Sequence, residues 1–391
     1  MQEAFSFFSR SFLLTFGSNL LYFGSFYLLL PTMPQFVDSL GGSPAQIGLV
    51  MGFFTIAAVL VRPKLGQLAD SYGRKRMMMA GSGLFSLIFL LYLLAQSIVP
   101  LYAIRILHGI AHAGFLAASA AYVADLAPPA RRGEVIGMYG TSNVVAMAVF
   151  PAVGTEIIRT SGSFPQLLAV SAAVSAIAFG LTAGLNEIKD RHSGALKRES
   201  IFKVGARREV LIPSLALFAG ATAYGATLTF LPIFAPERGI ADFGVFFTVF
   251  AAATLISRIL SGRLSDRIGR YKVILPFMLL VVIAVYMLPS LNGKLLLMAV
   301  GGCFGLGFGA FMPTLNALVV DKTPPAERGS ALGFFTSFMD LGIAAGSVIL
   351  GLVGGLYGYP VMFYTAGTIM LLGIVLFAIY MNPSKTEEPE R

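Results

Sequence analysis

Two charged side chains in this sequence stand where charge is costly. At ~1.5 Å of rise per residue, Arg105 lies about 10 Å into one apolar helical stretch from its outer end. Asp340 lies about 15 Å into another from its inner end. Ionisable groups at that depth commonly mark a route for substrate or protons. A carboxyl group withdrawn from water favours its protonated form, so Asp340 is a candidate proton carrier. Its position equally allows a structural acid that caps a turn before Gly342 or pairs with a neighbour, and a substrate contact. His108 and His112, four residues apart on one helical face, have the spacing of metal ligands. No third ligand accompanies them and Cys303 is the single cysteine, so no metal and no cofactor are expected and the pair reads as cavity or packing residues.

The elements that must hold these groups are membrane helices. Of 391 residues 56% are hydrophobic and 12% charged, and the mean hydropathy is +0.79; a soluble domain carries roughly twice that charge fraction. Stretches long enough to cross ~30 Å of hydrocarbon recur at 11–33, 45–65, 75–96, 100–124, 134–158, 165–186, 210–234, 241–262, 272–291, 295–320, 329–352 and 358–382. The fold class expected is an all-α membrane protein with twelve transmembrane helices. Runs such as Leu84-Phe85-Ser86-Leu87-Ile88-Phe89 are apolar on every side, which excludes the alternation of a β-barrel. The first stretch holds Asn19, Pro31 and Pro34 without a small-residue cleavage pattern, so it reads as a retained helix.

The net charge of +9 would point to nucleic acid in a soluble chain. Here its distribution decides otherwise. With the N-terminus inside, 24 of the 28 Lys and Arg fall on the inner side, leaving Arg159, Arg238 and Lys294 outside and Arg105 within a span. The positive-inside rule then puts both termini and the middle loop in the cytoplasm, and no nucleic acid is expected as a partner.

The chain contains itself twice. Gly66-Gln67-Leu68-Ala69-Asp70-Ser71-Tyr72-Gly73-Arg74 recurs 196 residues further on as Gly262-Arg263-Leu264-Ser265-Asp266-Arg267-Ile268-Gly269-Arg270. At the same offset Arg62 meets Arg258, Gly109 meets Gly305, Asp125 meets Asp321, Pro128-Pro129 meets Pro324-Pro325, and Arg132-Gly133 meets Arg328-Gly329. A polar stretch around Lys189 to Arg208 divides the copies. The expected organisation is a six-helix bundle over 1–186, a cytoplasmic linker over 187–209 and a second six-helix bundle over 210–391. With an even number of spans in each, the copies are parallel repeats, which places a substrate site near the midplane between them.

The doubled loop at 66–76 and 262–272, with Arg105-Ile106-Leu107-His108-Gly109 in the fourth span, resembles the signature motifs of the major facilitator superfamily across the whole chain. The resemblance implies that Gly66, Asp70, Gly73, Arg74 and their copies Gly262, Asp266, Gly269 and Arg270 form a cytoplasmic gate. Asp70 would face the start of the eleventh span near Gly329, and Asp266 the start of the fifth near Gly133. A carboxylate is favoured at a helix N-terminus; the basic residues of the loop can also serve topology alone. Arg105 matches the family position tied to proton or substrate coupling, where a fixed cation lowers the proton affinity of a nearby acid or binds an anion. Hydrogen bonding to carbonyls as a packing residue is its other reading. Family members line the cavity with spans one, four, seven and ten, so Asn19, Tyr22, His108, His112, Tyr224 and Asn316, with Asn143 of the fifth span, are candidate substrate contacts.

Phe150-Pro151-Ala152-Val153-Gly154-Thr155 partly matches the fifth-span element of exporters in this superfamily. The function implied is export of a small amphipathic compound in exchange for protons, in the drug:proton antiporter-like branch. Proton-coupled uptake of a metabolite such as an organic anion or sugar is the alternative. An enzyme is not expected, because no nucleophile and base are paired and no Walker-type loop is present. The partners implied are a small-molecule substrate, protons and the lipid bilayer, and the expected setting is a monomer in the bacterial inner membrane.

Overall fold

A computed structural model describes residues 7, 9–128, 131–187, 201–325 and 327–380. Most of the expected linker (188–200), Pro129 of the repeat and residues 381–391 of the second bundle lie outside the described residues. The described residues are helical throughout, without a strand. The helices are α1 (Arg10–Leu29), α2 (Met33–Ser39), α3 (Pro44–Tyr72), α4 (Arg74–Tyr92), α5 (Ile98–Leu126), α6 (Arg132–Ser161) and α7 (Phe164–Ala183). After them come α8 (Ile201–Gly205), α9 (Arg208–Glu237), α10 (Gly244–Ile268), α11 (Arg270–Met287), α12 (Lys294–Lys322), α13 (Arg328–Tyr357) and α14 (Tyr359–Tyr380). In a solvent without water, a helix is the one lone segment that satisfies all its own backbone groups.

Among the described residues eleven stretches are long and apolar enough to cross a membrane, one fewer than expected. The missing one is α4, which spends its first turn on Arg74, Lys75 and Arg76 and has only its later turns for apolar residues. The first stretch also differs from the expected single helix over 11–33. Pro31 and Pro34 cannot donate backbone hydrogen bonds, and the chain breaks between α1 and α2, with the Thr32 hydroxyl bonded back to the carbonyls of Leu28 and Leu29 at 3.1 Å.

The chain forms two compact units, Met1–Gly42 with Phe53–Gly194, and Ser43–Gly52 with Ala195–Arg391. In the first, α1 packs on α6 and α7, and α4 on α5 and α7; in the second, α9 packs on α13 and α14, and α11 on α12 and α14. The pattern of neighbours is the same. Within each unit, small hydroxyls tie helices together as they do in other membrane bundles. Ser18 meets Thr182 at 2.6 Å between α1 and α7, and Thr229 meets Ser347 at 2.9 Å between α9 and α13.

Two pairs of glycines show how closely the copies agree. Gly73 and Gly269, at the turns α3–α4 and α10–α11, have φ of 98° and 94°, a conformation that favours glycine. Gly109 lets α5 lie against the backbone of Phe54 and the Ala57 methyl; Gly305 lets α12 lie against the backbone of Phe250 and the Ala253 methyl. All of these positions correspond at the offset of 196 read from the sequence.

Candidate functional site

The polar side chains of the first unit meet inside it in short chains of hydrogen bonds. On α1, buried Asn19 donates to Ser142 Oγ at 2.7 Å and accepts from the Tyr139 hydroxyl at 2.6 Å, both on α6. Tyr27 donates to Asn143 Oδ1 at 3.4 Å. Tyr22 stacks on Phe115 with ring centroids 3.8 Å apart, and its hydroxyl is 3.4 Å from His112 Nδ1. Each buried polar group is costly without a partner, and here the partners are mostly tyrosine hydroxyls.

Both histidines of α5 are buried in an aromatic shell. The His108 ring lies 4.2 Å from that of Phe85 and edge-on to Phe54 and Phe89, with Nδ1 3.0 Å from the Tyr92 hydroxyl. Its Nε2 is buried with no hydrogen-bond partner among the described residues. His112 packs among Phe23, Phe26 and Phe54 and feels the charge of Arg62. Arg105 is 1% exposed, with its guanidinium 5.2 Å over the Phe54 ring and beside Tyr92 and His108, a geometry in which ring and cation attract. Among the described residues no group of three or more His, Cys, Asp or Glu could hold a metal ion.

The second unit places its candidates apart, on three helices. Tyr224 of α9 stacks on Phe308 at 4.6 Å, within a cluster that includes Phe250 and Phe304. Asn316 on α12 and Asp340 on α13 are half-buried. Asp340 has an interaction of its own and is not an isolated carboxylate.

The repeated loops carry matching charge networks. Arg74 pairs with Asp125 at the end of α5, lies 3.5 Å from Asp70, and donates to the Ala121 carbonyl at 2.9 Å. Arg270 pairs with Asp266 at 2.6 Å and with Asp321 at the end of α12 at 3.0 Å. In both, one arginine binds the ends of three helices, and the first carboxylate is the more exposed of the two, 63% against 20% in the first loop and 66% against 50% in the second. Asp70, Gly73 and Arg74 thus come together, as do Asp266, Gly269 and Arg270; Gly66 and Gly262 face open space. Asp125 and Asp321 were not among the candidate site residues, although their recurrence at the offset of the arginines was the available signal. Tyr92, Tyr139 and Ser142 gave none, because their partners lie on other helices.

A helical frame made twice, with polar groups buried inside apolar spans, defines a multi-pass membrane protein of the transporter type. Residues 15–246 and 215–391 match the model of the Major Facilitator Superfamily, and the chain belongs to that family. It is 27% identical over 366 residues to a multi-drug resistance efflux pump, PmrA, of Streptococcus pneumoniae, covering 88% of this chain and 90% of that one. It is 26% identical to multidrug resistance protein 2 of Bacillus subtilis, covering 90% of each. In fold it is similar to a crystal structure of a variant of the nucleoside transporter NupG, with a TM-score of 0.80, 16% identity, and 95% of this chain and 99% of that one covered.

Proposed function

We propose that this transporter exports a small amphipathic compound in exchange for protons by alternating access. The observation that carries the reading is the similarity, along about nine tenths of both chains, to relatives named as a multi-drug resistance efflux pump and a multidrug resistance protein. In this reading the protein is a monomer of the bacterial inner membrane, with α4 as a twelfth crossing and both termini cytoplasmic. The bundles are 1–186 and 210–391, joined by a linker over 187–209.

Each part of the cycle has residues suited to it. Gating falls to Gly66, Asp70, Gly73 and Arg74 and to Gly262, Asp266, Gly269 and Arg270. Their charge networks stiffen the ends of three helices and leave the first carboxylate the most exposed member, so that each loop moves as a unit. Proton coupling falls to Asp340 and Arg105. Asn19, Tyr22, His108, His112, Asn143, Tyr224 and Asn316 shape the substrate cavity, with aromatic rings supplying its apolar part. The test is a panel of amphipathic compounds given to an efflux-deficient bacterium expressing the protein, with and without a protonophore. Protonophore-sensitive loss of at least one compound from the cells is the expected result, and uptake that grows with expression would replace export by import.

A further inference from the structure

We propose that Glu187, at the exit of α7 into the linker, is a positioning residue that holds the α3–α4 loop and so makes the start of the linker part of the gate. The proposal rests on the gating reading of that loop given above.

The loop needs help that its own residues do not give. Gly73 precedes α4 and has no side chain to cap it, and the first turn of α4 contains no acid. The first turn instead carries Arg74, Lys75 and Arg76, cations at the positive end of a helix, where a carboxylate is favoured. Glu187 supplies that carboxylate from far along the chain, its Oε1 accepting from the Lys75 backbone N–H at 3.1 Å. The carboxyl group packs beside Gly73, its Cδ 2.9 Å from where a Cβ would stand, and the φ of 98° at that position favours glycine.

Glu187 is itself held in place. Buried Tyr122 of α5 donates to the carbonyl of Asn186 at 2.9 Å, and its neighbour Ala121 accepts from Arg74. The exit of α7 therefore rests on the residues that carry the Asp70–Arg74–Asp125 network. Among the described residues the second unit shows no such arrangement. A Cβ on Gly269 would meet nothing within 4 Å among the described residues, and Leu318 stands where the first unit has Tyr122. Farther along, Arg207 makes a two-pronged pair with Glu327, the residue before α13, so the chain entering α9 is also pinned to a motif-bearing helix start.

The experiment compares Glu187→Ala, Glu187→Gln and Asp70→Asn in the full-length protein. Amide hydrogen exchange in lipid nanodiscs reads the loop, and transport in proteoliposomes reads the cycle. A lost helix cap commonly costs a factor of about five. Glu187→Ala is therefore expected to raise exchange at amides 74–77 about fivefold while other helices keep their protection, and to lower the maximal transport rate several-fold with KM unchanged. Glu187→Gln retains an acceptor oxygen and should recover most of both. Unchanged exchange at 74–77 in Glu187→Ala overturns the proposal, as does a general loss of protection that Glu187→Gln fails to restore. If the loop responds to Glu187 while Asp70→Asn transports normally, Glu187 still positions the loop and the gating reading is what falls.

Discussion

In the first unit α4, α5 and α6 carry Tyr92, Arg105, His108, His112, Tyr139, Ser142 and Asn143. At the same register in the second stand Leu288, Gly301, Phe304, Phe308, Phe335, Phe338 and Met339. The loops between α3 and α4 and between α10 and α11 are alike down to the left-handed glycine and the arginine held by two aspartates. One sequence has thus kept a shared frame at the loops and filled two interiors with different chemistry. Where the first unit pairs imidazoles and amides with hydroxyls, the second packs phenylalanines and adds one half-buried carboxylate, Asp340, where the first has Val144. The contrast fits a division of labour: a polar, cationic lining in one unit, and proton binding in the other.

The largest test of that division is Asp340→Asn. If the second unit carries the proton, the amide imitates its protonated form, so substrate still binds but a pH gradient no longer drives accumulation. Proteoliposomes at several imposed gradients, beside binding in detergent, separate the two. Accumulation that still scales with the gradient would move the proton site elsewhere, and a joint loss of expression and binding would make Asp340 structural.

The shared frame is tested by Gly109→Ala and Gly305→Ala. Both methyls would collide with the backbone of the neighbouring helix, and overpacking of this kind commonly costs ~1–3 kcal/mol. We expect similar drops in thermal midpoint for the two variants, measured in the same detergent. A large drop in one and none in the other would break the equivalence.

The difference between interiors is tested by His108→Phe, which gives the first unit the residue of the second. The ring still fills the aromatic shell, but the Tyr92 hydroxyl loses its hydrogen bond to the imidazole, a loss of about 0.5–1.5 kcal/mol. The double variant with Tyr92→Phe should recover part of the stability, which a thermal melt of both will show. No recovery would mean that the pair contributes nothing beyond shape.

The smallest effect is expected from Asp70→Asn and Asp266→Asn. Each keeps its shape and loses a charge at a helix end, a change of about 0.3–1 kcal/mol, which slows transport about two- to fivefold. Unaltered rates in both variants would remove the gating role from these carboxylates.

Much of the frame was legible because membrane helices and sharp turns are local signals. The apolar stretches, Gly73 and Gly269 at the turns, and the recurrence of Asp125 as Asp321 could all be read along the chain. The break at Pro31 was signalled but read through, since apolar residues continue on both sides of it. The weak apolar length of α4 follows from counting its basic first turn as part of the span. The site was legible only as residue types. Tyr92 meets His108, and Asn19 meets Ser142, across helix faces, and no short-range spacing announces such pairs. Glu187 reads as one more linker charge, because its partner Lys75 is 112 residues away.

The position of Glu187 also gives the first unit an order of completion. A ribosome makes α3, α4 and α5 long before it makes the exit of α7, so the α3–α4 turn enters the membrane with its helix start uncapped. The cap arrives only when every helix of that unit has been made, which ties the final setting of this loop to the synthesis of the whole half.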